Sequence, residues 1–331
     1  MSRILITGGA GFIGYHLALR LRSAGHELTL VDSFARAVRD PALERLLADP
    51  GIELREADLR DPHALAGYDN DYAAIFHLAA IIGVRHVLER PYAVLHDNAE
   101  LLFHVLDFAR RQRALERFVF FSTSEVYAGT LKHFDLPVPT PETTPLALTD
   151  VAEPRTSYML SKLHGEAVCH HAGVPLTIVR PHNFYGPRMG LAHVVPELLK
   201  RASEAPRGGS LEVYSVDHRR AFCYIDDAVE MIVRATERGD GRGASLNIGN
   251  GSEEVTIGEV ARVVLEVVGR DDVSIDPQPP TPGSPERRLP DMTRTRGVTG
   301  FDARVGLREG VGRTWDWYRE HVFGEGGVSA T

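Results

Sequence analysis

The chain has 331 residues, 43% hydrophobic and 25% charged, the balance of a water-soluble protein with one large α/β domain or a main domain and a lobe. Its 37 Lys and Arg against 45 Asp and Glu give a net charge of −8, which argues against a nucleic-acid binder, whose phosphate contacts need a basic face. Two cysteines, Cys169 and Cys223, exclude a disulfide framework and a thiolate zinc site, and no apolar run reaches the roughly 20 residues that span a bilayer.

The elements follow a rhythm. Arg3 to Thr7 reads as a strand, Gly11 to Ala24 as a helix and Glu27 to Val31 as a strand. Further short apolar strands are predicted at Ile52 to Arg55, Ala74 to His77 and Phe118 to Phe121, the pattern of strands buried on both faces of a parallel sheet. Long helices are predicted over Pro91 to Ala114, with its proline where the missing N–H costs nothing, and over Thr156 to Ala172. Leu176 to Arg180 is a sixth strand. The class is therefore α/β, a Rossmann-type doubly wound parallel sheet.

After Pro181 the texture changes. Leu211 to Tyr214 and Phe222 to Ile225 read as strands, and Asp226 to Arg238 and Thr256 to Val268 as helices. Six prolines between Asp276 and Pro290 predict an extended loop. Leu307 to Val322 is a helix carrying Trp315 and Trp317, and the tail 324–331 is expected to fray. Residues 1–180 form the expected nucleotide domain, with 221–248 returning to it. Residues 181–220 and 249–323 form a smaller mixed α/β C-terminal substrate lobe.

Strand 3–7 runs into Gly8, Gly11 and Gly14, and a helix opens at Phe12 and Ile13. Glycines there let the backbone turn tightly against a pyrophosphate, and the helix N-terminus offers free N–H groups and partial positive charge. The G-x-x-G-x-x-G spacing differs from the G-x-G-x-x-G dehydrogenase fingerprint. Asp32, followed by Ser33, ends the second strand, where a carboxylate accepts from a ribose 2′-OH and repels a 2′-phosphate, favouring NAD. Arg36 is placed to accept that phosphate instead, and Asp32 also suits a capping role. Asp58 and Leu59 are placed to touch adenine, or to make a turn.

Tyr158 and Lys162 lie four apart on one helix face, which also suits an ordinary surface pair. A free tyrosine, with a pKa of about 10, is a poor base; a neighbouring ammonium and a cationic nicotinamide ring are expected to lower it.

The ordered set T-G-G-A-G-F-I-G (7–14), V-D (31–32), D-L-R (58–60), H-L-A-A (77–80), Asn98, F-S-T-S-E-V-Y (121–127), S-Y-M-L-S-K (157–162), R-P-H-N-F-Y-G-P-R (180–188) and R-R-A-F-C-Y-I-D-D (219–227) resembles the extended short-chain dehydrogenases/reductases, in the branch of nucleotide-sugar epimerases, dehydratases and decarboxylases. The resemblance implies NAD as cofactor and a nucleotide-diphosphate sugar as substrate. It implies that Tyr158 takes the 4-OH proton, Lys162 holds the nicotinamide ribose and Thr123 bonds the 4-oxygen. Leu78, Ala79, Ala80, Asn98 and Pro181 would line the cofactor. Arg85, Asn183, Arg188, Val195 and Arg220 would serve the substrate, with Asn183 and Arg220 on its diphosphate. It also implies a homodimer built on a four-helix bundle of the two long helices. Ala128 stands where the family has glycine, and Tyr15-His16 departs from the usual pair after the third glycine. His182 either faces substrate or is structural.

A 4-keto sugar can be reduced from the other face, lose water, or, as a β-keto acid, lose CO₂. Epimerisation is the leading expectation. Thr123-Ser124-Glu125 keeps open a dehydratase or a glucuronate-type decarboxylase in which Glu125 acts near C5, unless Glu125 merely caps a loop. A non-catalytic NAD-binding regulator is a further alternative, against which the intact Thr123, Tyr158 and Lys162 count. No metal site, nucleic-acid partner or membrane partner is expected, and a cytoplasmic location follows from the absence of a signal-peptide pattern at the N-terminus.

Overall fold

The computed structural model describes residues 1–134, 137–238, 241–280 and 284–323, apart from the side chains of Val84 and Arg85. The tail 324–331 lies outside the described residues. The first half builds β1 (Arg3–Thr7), α1 (Phe12–Ser23), β2 (Glu27–Asp32), α2 (Pro41–Leu47), β3 (Ile52–Glu56), β4 (Ala74–His77), α3 (Val84–Glu89), α4 (Pro91–Arg110), β5 (Arg117–Phe121), α5 (Ala128–His133), α6 (Thr156–His171) and β6 (Leu176–Pro181). The second half builds β7 (Phe184–Tyr185), α7 (Val194–Glu204), β8 (Ser210–Tyr214), β9 (Arg219–Ala221), β10 (Cys223–Tyr224), α8 (Ile225–Glu237), β11 (Ser245–Ile248), β12 (Glu254–Thr256), α9 (Ile257–Val268), β13 (Ser274–Gln278), β14 (Arg287–Arg288), α10 (Thr293–Thr299) and α11 (Leu307–His321).

Seven strands form one parallel sheet in the order β11-β6-β5-β4-β1-β2-β3. The chain winds outward in both directions from β1, so a crevice opens over the carboxyl ends of β1 and β4. Both faces of the sheet are covered. On one, α4 and α6 bury Leu101, Leu102, Val105 and Cys169 against Phe118 and Phe120 of β5. On the other, Leu17, Leu21, Ile232 and Val233 of α1 and α8 meet Ile4, Ile6 and Val179. Each such side chain contributes about 1.5–3 kcal/mol when fully buried. Helix α6 lies unusually close, because a Cβ on Gly165 would stand 2.5 Å from the Phe120 ring. That approach sets the height of Tyr158 and Lys162 above the sheet.

The structure shifts several predicted boundaries. Helix α4 stops at Arg110, because Arg113 N donates to the Asn70 carbonyl and turns the chain into β5. The strand predicted over 222–225 divides, with β9 ending at Ala221, β10 holding Cys223–Tyr224 and Ile225 opening α8. The proline-rich stretch is strand at both ends. Pro277 lies in β13, which among the described residues pairs with β8 alone, where a missing N–H is tolerated. Arg287 and Arg288 pair with Arg219 and Arg220 of β9. Helix α2 was not predicted, although Asp40 caps it by accepting from Leu43 N at 2.8 Å and Pro41 follows the cap.

Candidate active site

The crevice holds a cleft of about 840 Å³ lined by the glycine turn, the ends of β2, β4 and β5, and the segment from Pro181 to His193. Gly8 has φ +70°, and a Cβ there would stand 2.9 Å from Ala79 N. A Cβ on Gly14 would stand 2.3 Å from the Gly8 carbonyl oxygen. Only glycine allows this turn. No side chain caps α1, whose N-cap is Gly11, so the first N–H groups of Phe12 and Ile13 are left at the cleft wall for an anion.

Asp32 accepts from Ala10 N at 3.1 Å and Phe34 N at 2.9 Å, which fixes its carboxylate in the cleft; burial raises its pKa against these bonds. Ser33, beside it, accepts from Ala35 N. Asp58 also lines the cleft, lowered by its bond with Arg60, which also reaches Asp97, while Leu59 is buried beneath. Leu78, Ala79, Ala80 and Pro181 line the cleft too, with Ala79 N bonded to Thr7 Oγ1. Asn98 stands one layer back. It grips both the N–H and the carbonyl of Ile81 and bonds Ser161 Oγ, so it shapes the wall and ties that wall to α6. These features fit a dinucleotide: a glycine turn with no room for side chains, an uncapped helix start, and a carboxylate at the second strand's end.

The Thr123 hydroxyl is close enough to the Tyr158 phenol to draw its pKa down, and Thr123 Oγ1 accepts from Glu125 N. The Tyr158 pKa is raised, first by burial and then by the Glu125 carboxylate, with Thr123 and the nearby Arg36 pulling the other way. The expected lowering joined Lys162 to a bound nicotinamide ring, and the protein's own groups alone do not supply it. The protein's own groups hold Tyr158 as a phenol, because Lys162 is turned elsewhere: its buried ammonium donates to the Phe121 carbonyl at 2.8 Å. Burial also pushes Lys162 down to about 8.

Glu125 is in the cleft and not a remote cap. Its carboxylate takes a 2.8 Å bond from Arg288, which, with Arg155 and Arg220, holds it in the charged form. Ser124 is buried beside it and also lines the cleft. The sequence reading missed Arg288; an R-R pair among prolines carries no periodic signal. Arg288 Nε is buried without an acceptor among the described residues. Arg220 spends its donors on the carbonyls of Arg219, Pro285 and Glu286 and on Ser284 Oγ, which leaves it behind Glu125.

Asn183, at φ +43°, donates to the Ala221 carbonyl and lines the cleft. Arg188 is turned to the cofactor side, paired with Asp40 at 2.7 Å. Val195 is buried in the core under α7, and His193, at the cap of α7, lines the cleft in its place. His182 is a structural imidazole, buried, pushed down to about 3 and bonded to Asn247. The Arg85 side chain lies outside the described residues. His96, Asp97 and Glu100 gather on α4, a grouping the sequence reading did not foresee; Asp97 is held by Arg60, an ion-paired surface cluster. No helix among the described residues is long and apolar enough to cross a membrane.

Fold and cleft define a dinucleotide-binding protein of the Rossmann class. The model of the NAD dependent epimerase/dehydratase family matches residues 4–249, and the chain belongs to that family. It is 32% identical to a UDP-N-acetyl-alpha-D-glucosaminuronate decarboxylase of Bacillus cytotoxicus, over 96% of this chain and 98% of that protein. It is also 32% identical to UDP-glucuronic acid decarboxylase 1 of Arabidopsis thaliana, over 98% of this chain and 71% of that one. Among solved structures it resembles the UDP-glucose 4-epimerase of Thermotoga maritima, with TM-score 0.82 and 26% identity over 96% of this chain and 99% of that one. A dTDP-glucose 4,6-dehydratase of Streptomyces venezuelae, solved with NAD bound, is equally similar, with TM-score 0.82 and 28% identity over 96% and 97%. The protein is thus an NAD-dependent enzyme of the nucleotide-sugar epimerase, dehydratase and decarboxylase group.

Proposed function

We propose that this protein decarboxylates a nucleotide-linked uronic acid through a 4-keto sugar. One observation carries the reading: Glu125, beside Thr123 and Tyr158, is paired with Arg288, with Arg155 and Arg220 in electrostatic range. Arg288 lines the cleft beside this carboxylate, with Arg220 behind it. A planar guanidinium at the cleft wall suits a sugar carboxylate. The decarboxylases to which the chain is similar add support. Epimerisation at C4 alone, the leading expectation from sequence, gives the Glu125–Arg288 pair no task.

When bound, NAD would supply the hydride acceptor and donor for C4 and a positive ring that opposes the upward pull on Tyr158. Gly8, Gly11, Gly14 and Asp32 would hold it, and Lys162 its nicotinamide ribose. Tyr158 takes the 4-OH proton while Thr123 bonds the same oxygen. Arg288 orients the C5 carboxylate. In the 4-keto sugar the C5–C6 bond breaks, CO₂ leaves, and the electron pair enters an enolate whose oxygen Tyr158 and Thr123 stabilise. A solvent proton relayed by Glu125 goes to C5, and Tyr158 returns its proton to the 4-oxygen. One solvent proton is consumed and one CO₂ released. The exposed Tyr92, stacked on His96, and Phe103, packed against His164 of α6, are the face we assign to a second copy, which light scattering would report as a dimer.

The test is incubation with UDP-glucuronate and UDP-N-acetylglucosaminuronate, read by mass spectrometry. Loss of CO₂, abolished in Tyr158→Phe, is expected. An unchanged mass with an inverted sugar, or loss of water, overturns decarboxylation in favour of the other two fates. Binding of NAD with no turnover of any nucleotide sugar would make the protein a regulator.

A further inference from the structure

Tyr15, which stands where the family has a small residue, and its neighbour His16 converge on one segment. His16 Nε2 is 2.9 Å from the Pro187 carbonyl, and burial pushes the ring down to about 4, so the neutral imidazole serves as donor. The next residue, Arg188, stacks its guanidinium over the Tyr15 ring at 4.3 Å. Its Nε donates to Asp40 Oδ2 at 2.7 Å, its Nη1 to the Ala10 carbonyl at 3.5 Å and its Nη2 to the Val38 carbonyl at 3.3 Å. All three nitrogens therefore serve the nucleotide half of the chain, 148 residues away at Asp40. The side chains of Arg188 and Asp40 are 5% and 17% exposed, so the pair is shielded from screening by salt. Asp40 uses its other oxygen to cap α2. Arg188 holds this position with φ +65°, a backbone setting that a side chain rarely adopts.

The segment so fastened matters because of what lies under it. Residues 33–40 follow Asp32 and form one wall of the cleft, and Ala10 belongs to the glycine turn. A dinucleotide seated between Asp32 and the start of α1 has to pass this wall to leave.

We propose that Tyr15, His16, Asp40 and Arg188 form a clasp that retains the dinucleotide, closing the β2–α2 loop over it by tying that loop to the substrate-lobe segment 186–190. Arg188 is a positioning residue for the cofactor wall and not a ligand of the sugar nucleotide. The chemistry agrees, since a cofactor that gives back its hydride in each cycle has no need to leave.

The test loads the protein with NADH, chases with excess NAD, and follows the fluorescence of released NADH. No turnover is required, so the result stands apart from the identity of the sugar. Asp40→Asn and Arg188→Gln are expected to release NADH roughly tenfold faster or more, as loss of one partner of a buried charge pair acts on the off-rate. Tyr15→Leu, which keeps apolar volume and leaves the ion pair in place, is expected to speed release by a smaller factor and serves if Asp40→Asn does not fold. The charge-reversed double variant Asp40→Arg/Arg188→Asp is expected to release more slowly than either single variant. Wild-type release rates in Asp40→Asn and Tyr15→Leu overturn the clasp. So does an Arg188→Gln protein that keeps its NADH but loses nucleotide-sugar affinity, which returns Arg188 to the substrate.

Discussion

Glu166 grips Arg180 with two parallel bonds of 2.9 and 2.7 Å, and both side chains are almost wholly buried. Glu166 follows Lys162 by one helical turn, and it also accepts from Ser122, the neighbour of Thr123. Arg180 precedes Pro181 and donates to Tyr127, just beyond Glu125. One ion pair thus holds in register the three segments that carry the reactive groups. Glu166→Gln is expected to destabilise the protein by about 3–5 kcal/mol, since it leaves a buried guanidinium under-paired. Urea unfolding measures this, and an unchanged midpoint would remove the pair from the core's support.

Lys162 acts in the opposite sense. Its folded pKa, about 8, lies below the value of an exposed lysine, so burying the charged form costs stability at every pH below 8. That cost fades as pH rises toward the ordinary lysine value of about 10.4. Lys162→Met is therefore expected to abolish turnover yet stabilise the ligand-free protein at pH 7, by on the order of 3 kcal/mol at most. The gain should shrink at pH 10. Thermal unfolding at the two pH values checks the sign.

Gly165→Ala tests the height of α6. The added methyl meets the Phe120 ring and must lift the helix or tilt the ring. A displaced Tyr158 is expected to lower kcat roughly tenfold or more with little change in NAD affinity. Phe120→Leu in the same chain should recover part of the loss. Equal kcat in Gly165→Ala would show that the close approach does not set the site.

Asp32→Ala removes the carboxylate from the second strand's end. NAD affinity should fall roughly tenfold to a hundredfold, the range for a hydrogen bond to a charged group, and NADP affinity much less. Calorimetric titration of both dinucleotides decides. Equal losses would mean that Asp32 merely braces Ala10 and Phe34.

The nucleotide half was legible because its signals are local. Gly8, Gly11 and Gly14 mark one turn, Asp32 ends one strand, and Tyr158 and Lys162 share one helix face. Arg288 was hidden because it reaches Glu125 only through the pairing of β14 with β9. Arg188 was placed on the substrate because its motif neighbours that lobe, whereas its partner Asp40 lies far back in the chain. The phenol of Tyr158 was expected to be acidified by Lys162 and a nicotinamide ring together, but adjacency along a helix says nothing about where a flexible amine finds its acceptor, here the Phe121 carbonyl. Short helices such as α2 escaped because 7 residues give too little periodicity to register.

Strand β11 closes the sheet beside β6, yet some sixty residues separate them in sequence and the elements β7 to α8 are strung between. A ribosome that has released residues 1–180 has therefore made a sheet whose outer rim still shows unpaired backbone groups along β6. Completion of the sheet must wait for Ser245–Ile248 to emerge, and a fragment cut after β6 is expected to aggregate rather than bind dinucleotide.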